Sequence, residues 1–181
     1  IEAQRQTKAR LHQFSARIEA LESQLRLLGK QFLEPNPESL DELGAWAARN
    51  LSGRLVITPK AERSAARSAF EDVTHVYNCL HFLGTHYCDL KRGDGNKETY
   101  EQGLVELGVR IAPTGRAVNT SKFEGEYSVI WEGHRYKLSM HLAGSDSFDP
   151  RYVLRIYFAW DDEQQLVVVG HLPGHLTNSL S

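Results

Sequence analysis

The sequence predicts an α+β domain preceded by a coiled-coil helix, and three features of its patterning carry that prediction. Apolar residues recur every three or four positions through the first half; the period drops to two after Gly125; and Glu34-Pro35-Asn36-Pro37 separates a heptad stripe from everything that follows. The expected architecture is a helical layer on a four- to five-stranded, mainly antiparallel sheet over residues 38–181, with residues 1–33 forming the helix.

Leu11, Phe14, Ile18, Leu21, Leu25, Leu28 and Phe32 are spaced alternately by three and four, a heptad seam with Arg, Lys, Glu and Gln between. A narrow stripe of this kind seeks a partner helix, either a second copy through residues 11–32 or its own domain, and self-association is the favoured reading. Pro35 and Pro37 end it, because proline cannot donate the helical bond and disfavours α geometry in the residue before it. Ser39-Leu40-Asp41-Glu42 has capping-box spacing, which starts a short helix over 40–50 with Leu40, Leu43, Trp46 and Ala47 inward. Arg54 to Thr58 is β-rich, and an Ala- and Arg-rich helix is expected over 60–69. Val73, Val76, Tyr77, Leu80, Leu83 and Tyr87 mark one face of a long helix over 71–90, ended by Gly93-Asp94-Gly95. A further amphipathic helix spans 98–107, and residues 112–115 are expected to be a loop, mobile or functional. Residues 127–131 and 135–142 then form a hairpin across Glu132-Gly133, and residues 152–160 and 166–171 a second one. Together they predict a four-stranded antiparallel meander.

The 181 residues include 21 Lys+Arg and 23 Asp+Glu, a net charge of −2, so nothing global draws the chain to nucleic acid or to an anionic membrane; any nucleic-acid site must be local. No stretch is long and apolar enough to span a bilayer and no signal peptide opens the sequence. Two cysteines are too few for a disulfide scaffold and favour a reducing compartment, so the expected location is the cytoplasm. Opening on Ile1 inside a helical pattern suggests a piece of a longer protein. Gly-x-x-x-x-Gly-Lys-Ser/Thr, Gly-x-Ser-x-Gly and His-Glu-x-x-His are all missing, which excludes the corresponding nucleotide, serine-hydrolase and zincin readings. His75, Cys79 and His86 fall on one helical stripe, but without Cys-x-x-Cys spacing Cys79 reads as a small buried hydrophobe, and no metal or cofactor is expected.

Val153-Leu154-Arg155-Ile156-Tyr157-Phe158, the acidic turn Asp161-Asp162-Glu163 and Leu166-Val167-Val168-Val169-Gly170-His171 follow a strand and several helices. In this the chain resembles the RelE/ParE-like superfamily of small bacterial toxins. That resemblance implies a RelE-like fold and a toxin or phage-defence effector acting on RNA or the translating ribosome. It puts Arg155 at the family's strand arginine, and His171 or His175 where its terminal acid/base group sits. The chain is less basic than such toxins, lacks their terminal Arg/Lys cluster and adds the N-terminal helix.

The residues themselves suit that chemistry. Cleavage by a 2′-hydroxyl needs a base, an acid and a cation at the phosphate, which His and Arg supply without metal. Arg155 and Tyr157 are two apart on one strand, as are Arg135, Lys137, Ser139 and His141 on another, so one polar sheet face carrying Arg155, Tyr157, Lys137 and His141 is expected. His171-Leu172-Pro173-Gly174-His175 would present two imidazoles together in a tight turn. The candidate catalytic residues are therefore Arg155, His171, His175, His141 and Tyr157, with Lys137, Arg135 and Arg151 as RNA contacts. The competing expectation is a solvated sheet face on a non-catalytic interaction or regulatory module, with a neutralising or upstream partner.

Overall fold

The computed structural model describes residues 14, 15, 17, 18, 35–115 and 124–176. The chain divides into two compact units, Ile1–Asn36 and Pro37–Ser181. In the first, Phe14, Ser15, Arg17 and Ile18 are helical, and the Phe14 and Ile18 side chains are exposed. The remainder of the expected coiled coil, and the dimer contact through it, lie outside the described residues.

In the second unit Ser39 Oγ accepts the Asp41 N–H at 3.1 Å and opens a 3₁₀ turn, Leu40–Glu42, that runs into α1 (Leu43–Asn50). Leu40, Leu43, Trp46 and Ala47 are buried, as their spacing requires. β1 (Leu55–Ile57) follows, then α2 (Pro59–Ala66), whose Thr58 cap accepts from Ala61 N and whose Pro59 occupies a first-turn position that needs no donor. α3 (Val73–Phe82), a π-helical turn (Leu83–Tyr87) and α4 (Cys88–Arg92) continue one into the next, and α5 (Lys97–Leu107) lies against α3.

The main sheet has the order β1-β7-β6-β5-β2, with β7 at Leu166–His171, β6 at Arg155–Asp161, β5 at Met140–Ala143 and β2 at Arg110–Pro113. β1 pairs with β7 in parallel; every other neighbour is antiparallel. Two sequence expectations are corrected. Part of the stretch expected as a loop, 112–115, belongs to β2, an edge strand bonded to β5. The predicted four-strand meander does not form, because β3 (Ser128–Trp131) and β4 (His134–Lys137) make a separate two-stranded sheet. The reason lies at Leu138-Ser139: the Leu138 N–H still serves the hairpin, donating to Tyr127 O at 2.8 Å, whereas Ser139 O already accepts from Thr114 N at 2.8 Å beside β2. The chain changes sheets between two adjacent residues, and the even alternation of 135–142 conceals it.

One sheet face, with Leu55, Ile57, Leu142, Ile156, Phe158, Val167 and Val169, forms the main core with the helices. On the other face Val168, Leu166 and Tyr157 form a smaller core with Tyr127, Val129 and Leu138 of the hairpin region. Each core is apolar area removed from water at roughly 25 cal/mol per Å². The hairpin turns at Glu132 and Gly133, both at positive φ (48° and 80°), the pattern of a type I′ turn that suits strand twist.

Candidate functional site

Strand register lays two rows of side chains across the hairpin side of the sheet. The first runs Ala112, His141, Tyr157, His171 through β2, β5, β6 and β7; the second runs Arg110, Ala143, Arg155. His141 and Tyr157 stack with ring centroids 5.7 Å apart, and His171 stands 5.9 Å away on the other side of Tyr157. His171 enters the row only because the pairing slips at Tyr157/Phe158, so that Gly170 is skipped. The Arg155, Tyr157 and His141 face predicted from period two therefore exists.

Its polar groups are held rather than solvated. Arg155 is 6% exposed and Tyr157 is 4% exposed. The Arg155 guanidinium donates through Nη1 to the carbonyls of Ser145 and Leu154, and its backbone N–H to Pro173 O at 2.6 Å. Its Nη2 points at Asp146 Oδ1 from 3.7 Å, while Arg110 Nη2 holds the same oxygen at 2.8 Å. The Tyr157 hydroxyl accepts from Leu176 N at 3.3 Å, and burial pushes its pKa up. Burial, then the charges of Arg155, Arg110 and His175, hold the His141 imidazole below its ordinary pKa, and its Nδ1 is buried with no hydrogen-bond partner among the described residues. His175 is exposed; partial desolvation and Arg155 lower its pKa. Burial also lowers that of His171, whose charged neighbours are Lys60 and Glu126.

Tyr157 thus divides the cluster. His141, His175, Arg155 and Arg110 share one side, and His171 faces the other, where Lys60 Nζ donates to the carbonyls of Gly125, Glu126 and Ser128. In the turn between His171 and His175, Leu172 is buried and its carbonyl accepts from Ser64 Oγ at 2.7 Å. Lys137 and Arg135 do not share a strand with His141, since they lie exposed on β4 in the separate sheet, Arg135 within 3.9 Å of Glu124. Arg151 is engaged by Asp149 at 2.7 Å and stacks over Tyr152.

Two members of the cluster escaped sequence reading. Arg110 arrives on the edge strand, and its only local trace is the short alternation Val109-Arg110-Ile111 before Pro113. Asp146 sits in a polar loop whose composition announces a turn and nothing more. The helical stripe His75, Cys79, His86 is also redrawn. His75 Nε2 lies 3.9 Å from Cys79 Sγ, whereas the π turn swings His86 into a cleft of about 270 Å³ with His81, Phe82, Gly103 and Glu106. No group of three metal-type ligands occurs among the described residues. Nor is any helix among them long and apolar enough to cross a membrane.

Function has to be argued from these side chains, because a fold does not fix an activity. Comparison of the chain with protein-family models, with curated proteins and with solved structures gave no match.

Proposed function

We propose that the chain is a RelE-like toxin or phage-defence effector that cleaves RNA, free or on the translating ribosome, without a metal. The observation that carries this reading is the His141 imidazole, stacked on Tyr157 in the row next to that of Arg155 and Arg110, where burial and then the guanidinium charges lower its pKa. A neutral imidazole accepts a proton, guanidinium groups hold a phosphate, and a second imidazole returns a proton. His141 takes the proton of the 2′-hydroxyl through Nε2. The 2′-oxygen bonds to phosphorus as the bond to the 5′-oxygen breaks, leaving a 2′,3′-cyclic phosphate. His175 gives the departing oxygen a proton from its imidazolium form, taken up from solvent beforehand and the minor form at neutrality because its pKa is lowered. Tyr157 positions the imidazoles on either side of it and His171 supports Tyr157 from behind, at 5.9 Å. The succession of β1, helices and the neighbouring antiparallel strands β5, β6 and β7 supports the RelE-like assignment.

The test is expression of the full chain in a bacterial host, with growth and messenger RNA followed together, and digestion of RNA by the purified protein in EDTA. Growth arrest and cyclic-phosphate ends are expected, with cleavage reduced about 10²-fold or more in His141→Gln. Healthy growth with intact RNA would overturn the nuclease reading.

Two observations favour a second reading, a non-catalytic interaction module dimerised through residues 11–32. The Arg155 guanidinium and the Tyr157 hydroxyl both serve the backbone, and the heptad residues Phe14 and Ile18 expose 64% and 56% of their surface. Sedimentation of the full chain, dimeric as wild type and monomeric with Ile18→Asp, together with inactivity on RNA, is its signature.

A further inference from the structure

The row Arg110, Ala143, Arg155 places the smallest of its three residues between two arginines. Ala143 is buried. Asp146 reaches both arginines from the loop that follows β5. One oxygen, Oδ1, serves both arginines, at 2.8 Å from Arg110 Nη2 and 3.7 Å from Arg155 Nη2. The two contacts differ in kind. Arg155 is fixed by the Ser145 and Leu154 carbonyls and its side chain is 8% exposed, so its Nη2 is a rigid donor standing beyond hydrogen-bond length from the carboxylate. Arg110 and Asp146 are 61% and 79% exposed, an ion pair of the sort that contributes little and is readily exchanged.

The loop that carries this carboxylate is anchored on both sides of it. Its base is closed by Gly144 N to Leu154 O at 3.0 Å and Ser145 Oγ to Tyr152 O at 2.7 Å, and its far side by the Asp149 and Arg151 pair. Between these anchors Asp146 has no partner but the two arginines among the contacts described, and Phe148 beside it is 92% exposed. A phosphodiester offers the same paired anionic oxygens as a carboxylate and reaches two guanidinium groups better, having oxygens on both sides of phosphorus. The His141 row is adjacent, one step of two residues along the strand, roughly 7 Å, from the row that holds Arg155.

We propose that Asp146 is an internal stand-in for a phosphate. Its carboxylate holds on Arg110 and Arg155 the position that one phosphodiester of single-stranded RNA takes, and it must leave for RNA to bind. This rests on the RNA reading above and adds two elements to it: Arg110 as a phosphate contact and a self-masking loop.

The test is binding of a labelled short single-stranded RNA with every 2′-oxygen methylated, so that it cannot be cleaved, to the full chain and its variants by fluorescence anisotropy. Asp146→Asn is expected to tighten binding about three- to fivefold, the worth of one exposed ion pair. Asp149→Asn, a loop carboxylate paired elsewhere, leaves affinity unchanged. Arg110→Ala weakens binding, lowers the slope of log affinity against log salt by about 0.7, and removes most of the gain from Asp146→Asn. Equal tightening by Asp146→Asn and Asp149→Asn, or by Asp146→Asn with and without Arg110, would show a diffuse charge effect and overturn the proposal. Weakening by Arg110→Ala without any gain from Asp146→Asn would overturn the mask while leaving the RNA site in place. No binding by any of the proteins would overturn the RNA reading and the mask with it.

Discussion

Gly170 lies directly beneath Leu138: a Cβ at Gly170 would stand 2.4 Å from Leu138 Cδ2 and 2.7 Å from both Leu138 Cδ1 and Val129 Cγ1. The residue that the β6-β7 pairing skips is thus also the one on which the hairpin region rests, and the slip that clears space for Leu138 brings His171 to Tyr157. Gly170→Ala is expected to destabilise by about 1–3 kcal/mol through overpacking, because Leu138 is fully buried and has nowhere to turn. Thermal unfolding would show it as a Tm lower by roughly 2–10 °C.

Lys60 fastens the start of the hairpin segment from the opposite direction. Its ammonium donates to the carbonyls of Gly125 (3.1 Å), Glu126 (2.7 Å) and Ser128 (3.1 Å). Burial lowers its pKa, yet three carbonyl acceptors favour the charged form near neutrality. Lys60→Met keeps the stem and removes the donors, and a loss of about 1–2 kcal/mol is expected. Hydrogen exchange should quicken at the amides of β3 and β4 well before those of β6 and β7.

Stability should fall on the acid side of neutrality. Burial holds His81, His141, His171 and His175 below the ordinary value of 6.5. Below about 6.5 the unfolded chain therefore binds more protons than the folded one, so this contribution is complete above that pH and is lost as pH drops toward the folded values. The lowered carboxyl pKa values of Asp146, Asp149 and Asp161 act at lower pH. Denaturant midpoints measured between pH 7.5 and 5 should decline, and less steeply in a His141→Gln, His171→Gln variant.

Cys79 and Cys88 should be inert while the protein is folded. Both are buried and free, and burial pushes the Cys79 thiol up to about 12 and raises Cys88. Since the thiolate is the reactive form, alkylation at pH 8 is expected to label neither in native protein and both in guanidinium. Rapid labelling of native Cys79 would contradict the packing of α3.

The helices were legible because burial imposes their period locally: Val76, Tyr77, Leu80, Leu83 and Tyr87 are buried at the positions their spacing named. The rows Arg155 to Tyr157 and His141 were legible for the same reason at period two. What stayed hidden is non-local. Arg110 joins the cluster through pairing with a strand some thirty positions onward, at Ala143, which no local pattern encodes. The division between Lys137 and His141 depends on one backbone bond at Leu138 and another at Ser139. His86 leaves the His75 stripe because a π turn adds a residue to the helical repeat, and single-sequence periodicity assumes that repeat is constant.

The parallel pairing of β1 with β7 sets the order in which this domain can assemble. Among the described residues β1 has β7 as its single neighbour in the sheet, and the bond from Thr58 Oγ1 to Val169 O beside it closes 111 residues of sequence. On the ribosome, β1 leaves the exit tunnel long before β7 has been synthesised, so the sheet can close only after nearly the whole domain has emerged. Contacts of such high order fold slowly, and until then β1 presents an unpaired, apolar edge. The row containing His141, Tyr157 and His171 therefore does not exist until β7 docks, however early β1 and the helices have formed.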